Sequence, residues 1–101
     1  MVFTDKQIKS AVETFRENEY WREYYDNAPS DDCRKYIAFK FCHSLHVINS
    51  GEYGKTEQVE NEYKRLEEKL KLNDWRWLYR YSGNNPERIK FMQKIDEMKN
   101  M

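Results

Sequence analysis

The chain is 101 residues long, the length of one ordinary domain, with 16% aromatic and 36% charged residues. Lys and Arg number 18, as do Asp and Glu, so the formal net charge is zero. This balance excludes a DNA mimic, which needs a large acidic excess, and gives no general attraction to a polyanion. Two cysteines are too few for a disulfide scaffold, and no apolar run has membrane-spanning length. We therefore expect a cytoplasmic protein with free thiols.

The first predicted helix, residues 5–26, carries apolar side chains on two opposite faces. Thr4 and Gln7 have capping-box spacing, which places its start. At about 100° per residue, the apolar residues of its two halves point roughly in opposite directions. Three arrangements would accommodate both faces: the helix breaks near Asn18, it packs between two neighbouring helices, or it exposes an apolar patch. The first half carries Ile8, Ala11, Val12 and Phe15, and the second carries Tyr20, Trp21, Tyr24 and Tyr25.

The later helices are predicted from apolar periodicity and from capping residues. Ser30 begins a helix that is apolar almost all round, as a central helix is, and Gly51 is expected to end it in the left-handed region. Thr56 is expected to cap the next helix, after a loop at 51–55, and Asn85 the last, with Pro86 at its first position. The predicted ranges are 31–49, 57–72, 75–82 and 86–99, and the last helix is expected to bury Ile89, Met92, Ile95 and Met98.

The segment 75–81 could form a short helix or a strand, because its aromatic residues alternate as they do in a strand. No other segment offers a convincing partner strand, so a short helix capped by Asp74 is favoured, after a turn or kink at Asn73 and Asp74. The resulting fold class is all-α, a compact bundle of four to five helices in a single domain spanning 1–101.

Catalytic and metal-binding chemistry is poorly supported by the residue pattern. Cys42 and His46 are four apart and share a helical face, but Cys33 lies about 180° round the same helix and cannot join them. Glu19 and Glu23 are expected to lie on a solvent-exposed helix face and not to form a catalytic pair of carboxylates. No glycine-rich phosphate-binding loop is present. We expect no enzyme activity, no cofactor and no metal.

Protein binding is the function that the composition favours. Tyr, Trp and Arg dominate the hot spots of protein interfaces, and the second half of the first helix is rich in them. We predict a non-enzymatic interaction domain that binds a partner protein, or itself as a homodimer, with Arg22 orienting a carboxylate of the partner. The predicted partner-binding residues are Tyr20, Trp21, Arg22, Tyr24 and Tyr25. The competing interpretation is that the first helix kinks and this aromatic patch packs in the core against Trp75 or Trp77.

A small helical nucleic-acid-binding domain is the alternative prediction. The segment 75–81 interleaves aromatic residues with arginines, a combination that serves base stacking and phosphate contact. Core packing of Trp75 and Leu78 is the competing interpretation of this segment. The residues expected to contact nucleic acid are Arg76, Trp77, Arg80 and Tyr81.

No motif identifies a family. In size and composition the chain is similar to small helical immunity and antitoxin-type proteins and to phage or mobile-element accessory proteins. This similarity is one of class, and a fold class does not define a function.

Overall fold

The computed structural model describes residues 2–51 and 56–100, and over these residues the chain forms six α-helices and no strand. The all-α class is confirmed, but the predicted number of four to five helices is too low. Residues 52–55, within the predicted loop, lie outside the described residues. None of the six helices is both long and apolar enough to cross a membrane. The helices are α1 (Asp5–Arg16), α2 (Glu19–Asp26), α3 (Asp31–Ser50), α4 (Glu57–Glu67), α5 (Leu72–Tyr81) and α6 (Glu87–Lys99).

The additional helix arises because the first predicted helix is interrupted at residues 17–18. The predicted capping box is confirmed: Thr4 Oγ1 accepts from the Gln7 amide at 3.2 Å, and Gln7 Oε1 accepts from the Thr4 amide at 2.8 Å. Asn18 is in an extended conformation, and its Oδ1 accepts from the amides of Tyr20 and Trp21 at 2.9 and 3.3 Å. This second cap starts α2, so the break near Asn18 is the arrangement present.

The break turns the apolar faces of α1 and α2 toward the same part of the core. Phe15 of α1 stacks on Phe41 of α3, with ring centroids 4.3 Å apart and planes 7° apart. Trp21 of α2 presents its edge to both rings, at 6.1 and 6.0 Å. Edge-to-face and offset geometries are the favourable ones for aromatic pairs, so this cluster fixes the angle between the first two helices.

The third helix is central, as predicted. Helices α1, α2 and α4 all pack against α3. Both of its predicted ends are confirmed: Ser30 Oγ accepts from the Cys33 amide at 3.1 Å, and Gly51 has a φ of 70°. Its buried residues are Cys33, Tyr36, Ile37, Ala38, Phe39, Phe41 and Cys42.

The boundary between α4 and α5 differs from the prediction. Thr56 caps α4 as expected, but α4 ends at Glu67 and α5 begins at Leu72, so Asp74 lies in the first turn of α5 instead of capping it. The Asp74 carboxylate is buried, where it accepts from the Lys71 amide at 2.9 Å and from Ser30 Oγ at 2.8 Å. One carboxylate therefore ties the start of α5 to the start of α3.

The buried face of α6 is partly wrong in the prediction. Ile89 is 68% exposed and Met92 is 38% exposed, whereas Phe91 and Ile95 are buried. The Phe91 ring lies 6.0 Å from the Trp75 ring of α5. The helix is rotated so that its aromatic side chain is buried, because Phe removes more apolar surface from water than Ile or Met.

Candidate functional site

The two surfaces predicted separately from the sequence meet in the structure. Tyr20 and Tyr24 of α2 contact Tyr81 of α5, with ring centroids 5.1 and 5.0 Å apart. The Trp77 and Tyr81 ring centroids are 4.7 Å apart, and Trp21 contacts Tyr20 and Tyr24. We call these five residues the aromatic junction. It joins α2 to α5 through side chains, so much of the aromatic surplus is used inside the molecule.

Two hydrogen bonds fix the geometry of the aromatic junction. The Tyr20 hydroxyl donates to the carbonyl oxygen of Tyr81 at 2.9 Å, and Trp77 Nε1 donates to the carbonyl oxygen of Tyr24 at 2.8 Å. Each bond joins a side chain of one helix to the backbone of the other. Because both carbonyls lie near helix C-termini, these bonds also satisfy acceptors that a helix end leaves open.

Burial divides the predicted partner-binding residues into two groups. Tyr24 is only 4% exposed, and Trp21 and Tyr25 are half-buried against Phe41. Tyr24 therefore belongs to the core and offers no surface to a partner. Tyr20, at 45% exposure, is the large apolar side chain of this group that reaches solvent.

Arg22 is exposed but lies on another side of α2. Two positions along a helix correspond to about 200°, so Arg22 points away from Tyr20 and does not share its surface. Glu23, one turn after Tyr20, is the charged residue on the same side. After burial, the Glu23 carboxylate is the largest cause that raises the pKa of Tyr81. The sequence prediction missed Glu23, although its spacing from Tyr20 was the available signal.

The predicted nucleic-acid residues are divided in a similar way. Tyr81 is 7% exposed, whereas Arg76 and Arg80 are exposed on successive turns of α5. The Arg80 guanidinium lies over the rings of Trp77 and Tyr81, 5.5 and 5.7 Å from their centroids. The half-buried Trp77 thus has its indole N–H bonded and an arginine stacked on it, which leaves it little free surface for a base.

Two buried tyrosines of the aromatic junction, Tyr24 and Tyr81, keep their hydroxyl protons. Burial raises the pKa of Tyr24 well above its ordinary value. Burial, and then the Glu23 carboxylate, raise the pKa of Tyr81. At neutral pH these groups act as neutral hydrogen-bond donors, and neither supplies a base or a nucleophile.

A second cluster of polar side chains lies between α3, α4 and α6. The Lys40 ammonium lies 5.5–5.6 Å from the ring centroids of Tyr36, Tyr63 and Phe91, and it forms an ion pair with Glu87. Such a cation is held by ring quadrupoles as well as by a carboxylate. The contact anchors α6 on the central helix.

The same cluster continues through a carboxylate on α4. Glu67 accepts from the Tyr36 hydroxyl at 3.0 Å and pairs with Lys90 of α6. Burial, and then the charge of Glu67, raise the pKa of Tyr36. The Glu67 carboxylate is paired with the Lys90 ammonium, and the Tyr36 hydroxyl keeps its proton. Such an arrangement is typical of packing between helices.

Neither cysteine is activated. Cys33 is fully buried, and burial raises its pKa to about 12, while burial also raises the pKa of Cys42. The thiolate is the nucleophilic and metal-binding form, so both thiols are inert at neutral pH. In the described residues, 2–51 and 56–100, no three His, Cys, Asp or Glu side chains are grouped as a metal site.

Comparison of the chain with protein-family models, with curated proteins and with solved structures gave no match. The candidate binding surface is therefore identified only from the structure, as the place where exposed aromatic and charged side chains lie together. We call it the Tyr20–Arg80 face, formed by Tyr20, Glu23, Trp77 and Arg80.

Proposed function

We propose that this protein is a non-enzymatic, cytoplasmic interaction domain that binds a partner protein, or a second copy of itself, through the Tyr20–Arg80 face. The observation that carries the proposal is the state of Tyr20. This ring is nearly half exposed, yet its hydroxyl is bonded to Tyr81 and its ring packs against two others. A contact residue that is already ordered loses little conformational entropy when a partner binds.

The composition of the face supports protein recognition. Tyrosine, tryptophan and arginine are enriched among the residues that contribute most to binding at interfaces. Arg80 is exposed and lies over two rings, and its planar guanidinium has the donor geometry that pairs with a carboxylate. Glu23 adds an acceptor of opposite charge beside Tyr20. A partner that fits would bring an apolar side chain over Tyr20 and an acidic group to Arg80.

Nucleic-acid binding is the competing function, and the exposed arginines Arg76 and Arg80 are the observation in its favour. It is less well supported, because the stacking surface of Trp77 is occupied by Arg80 and Tyr81. Titration with single-stranded DNA or RNA at low salt separates the two functions. Quenching of tryptophan fluorescence that disappears steeply with added salt would favour nucleic acid.

The proposed function is tested by quantitative capture with matched baits. Wild-type protein, Tyr20→Ser and Arg80→Ala are immobilised and exposed to extract of the source cells and to labelled copies of the protein itself. Ile48→Ser is the control, because Ile48 is exposed on α3 and lies outside the face. A protein retained by wild type and Ile48→Ser, and lost with both face variants, supports the proposal. Equal retention by all four baits contradicts it.

A further inference from the structure

An open groove of about 560 Å³ lies between α1, α3 and α4, away from the Tyr20–Arg80 face. Its floor is apolar and includes Phe3, Ala38 and Leu66. Ala38 is buried but does not belong to the main core cluster, so the central helix presents a small side chain here. A small residue in a groove floor lets another helix approach closely.

One long wall of the groove is a face of α3, and the other is a face of α4 that Lys69 extends past the end of that helix. Each wall contributes residues at positions i, i+3, i+4 and i+7, which is the spacing of one side of a helix. A surface of this kind accepts the side-chain ridge of a further helix. The residues are Asp31, Arg34, Lys35 and Ala38 on α3, and Glu62, Arg65, Leu66 and Lys69 on the α4 side.

The rim of the groove has a small excess of positive charge, because four cations (Arg34, Lys35, Arg65 and Lys69) and three carboxylates (Asp5, Asp31 and Glu62) line it. Asp31 pairs with Arg34 and Glu62 pairs with Arg65, each within its own wall. Lys35 and Lys69, one on each wall, form no ion pair with any residue that the structure describes. An occupant that combined apolar side chains with a carboxylate would match both the floor and the rim.

The outer side of α6 has this composition. Ile89 and Met92 are exposed, and Gln93 and Asp96 complete the same i, i+3, i+4, i+7 face. Asp96 forms no ion pair within the described part of the chain. Among residues 2–51 and 56–100, only two other large apolar side chains are strongly exposed, Tyr20 and Ile48.

We propose that the outer face of α6 in one copy docks into the α1–α3–α4 groove of a second copy. Ile89 and Met92 cover the apolar floor, and Asp96 lies between the lysines of the rim. Each contact joins two different surfaces of the chain. When two copies dock reciprocally, the same contact is made twice and the interface as a whole is that of a twofold dimer. The surfaces are small, so the association is weak and concentration-dependent.

The proposal is tested by sedimentation velocity and light scattering from about 10 µM to about 1 mM protein, the range in which a weak dimer dissociates. Wild type is expected to increase in mass with concentration. Ile89→Ser is expected to raise the dissociation constant by about tenfold, as loss of a central apolar contact does. Ile48→Ser is the matched control, since Ile48 is 71% exposed and outside both surfaces.

Mixing two complementary variants tests whether α6 of one copy docks into the groove of the other. The double variant Lys35→Glu and Lys69→Glu keeps the α6 face but loses the rim charge, whereas Ile89→Ser keeps the groove. Each variant alone is expected to stay monomeric at concentrations where their mixture associates, because the mixture restores one intact contact. All substituted side chains are exposed, and circular dichroism verifies the fold.

Three results would overturn this proposal. They are a wild type that stays monomeric to about 1 mM, an equal effect of Ile48→Ser and Ile89→Ser, and a mixture that does not associate. A monomeric wild type would leave the groove to an acidic amphipathic segment of another protein. A monomeric wild type would also exclude self-association through the Tyr20–Arg80 face and leave that face to a partner protein. The other two results do not bear on it, because none of the substitutions touches it.

Discussion

Replacing Tyr24 by Ala tests the placement of the second aromatic cluster in the core. Tyr24 is 4% exposed, and its ring contacts Tyr81, Trp21 and Phe41 at 5.0, 5.8 and 6.1 Å between centroids. Truncating a buried aromatic residue costs about 3–5 kcal/mol of unfolding free energy. Domains of this size have about 5–15 kcal/mol in total, so the variant is expected to fold but with little margin.

Urea denaturation followed by circular dichroism measures this cost. With an m-value of about 2 kcal/mol per molar urea, the midpoint is expected to fall by about 2 M. Arg22→Ala is the control, because Arg22 is exposed on the same helix and its loss is expected to change the unfolding free energy by less than about 0.5 kcal/mol. A cost below about 1 kcal/mol for Tyr24→Ala would refute its placement in the core.

Three further predictions follow from the ends of the helices and from the cysteines. Asn18→Ala removes the cap of α2 and is expected to lower the unfolding free energy by about 0.5–2 kcal/mol; an unchanged urea midpoint would refute the role of the cap. Gly51→Ala places a side chain at a φ of 70° and is expected to cost about 1 kcal/mol in the same assay; a more stable variant would contradict the backbone assignment. Cys33, with a pKa of about 12, is expected to resist alkylation at pH 8 in the native state and to react after denaturation; equal rates in both states would contradict its burial.

The fold class and most helix starts could be predicted because they depend on local signals. The side chains of Thr4, Ser30 and Thr56 each accept a hydrogen bond from a backbone amide three residues later. Such caps depend only on residues that are close together in the sequence. The central position of α3 follows from its apolar side chains on every side. Such features need no knowledge of distant contacts.

The face that α6 buries could not be decided locally. Ile89 and Met92 define one stripe and Phe91 defines another, and both have helical spacing. The choice depends on Trp75, which comes from another helix and packs against Phe91. Tertiary contact therefore overrides the pattern within the helix.

The candidate site could be predicted only in part, because it too depends on contacts between different helices. Tyr20, Trp77 and Arg80 could be named as aromatic and cationic candidates from composition. That Tyr81 joins Tyr20 to Trp77 depends on contacts across about sixty residues of chain. The sequence pattern named the two residue sets as separate candidate sites and left open whether they pack together, and the structure joins them in one junction.

Site-specific photo-crosslinking is the measurement that tests the proposed function most directly. Benzoylphenylalanine is introduced at position 20 in cells that naturally make the protein, and in a parallel strain at position 48, which is also exposed but lies outside the face. We predict a protein adduct from position 20 and none from position 48, with the adduct mass distinguishing a foreign partner from a second copy. No adduct from position 20, or the same adduct from both positions, would contradict binding through the Tyr20–Arg80 face.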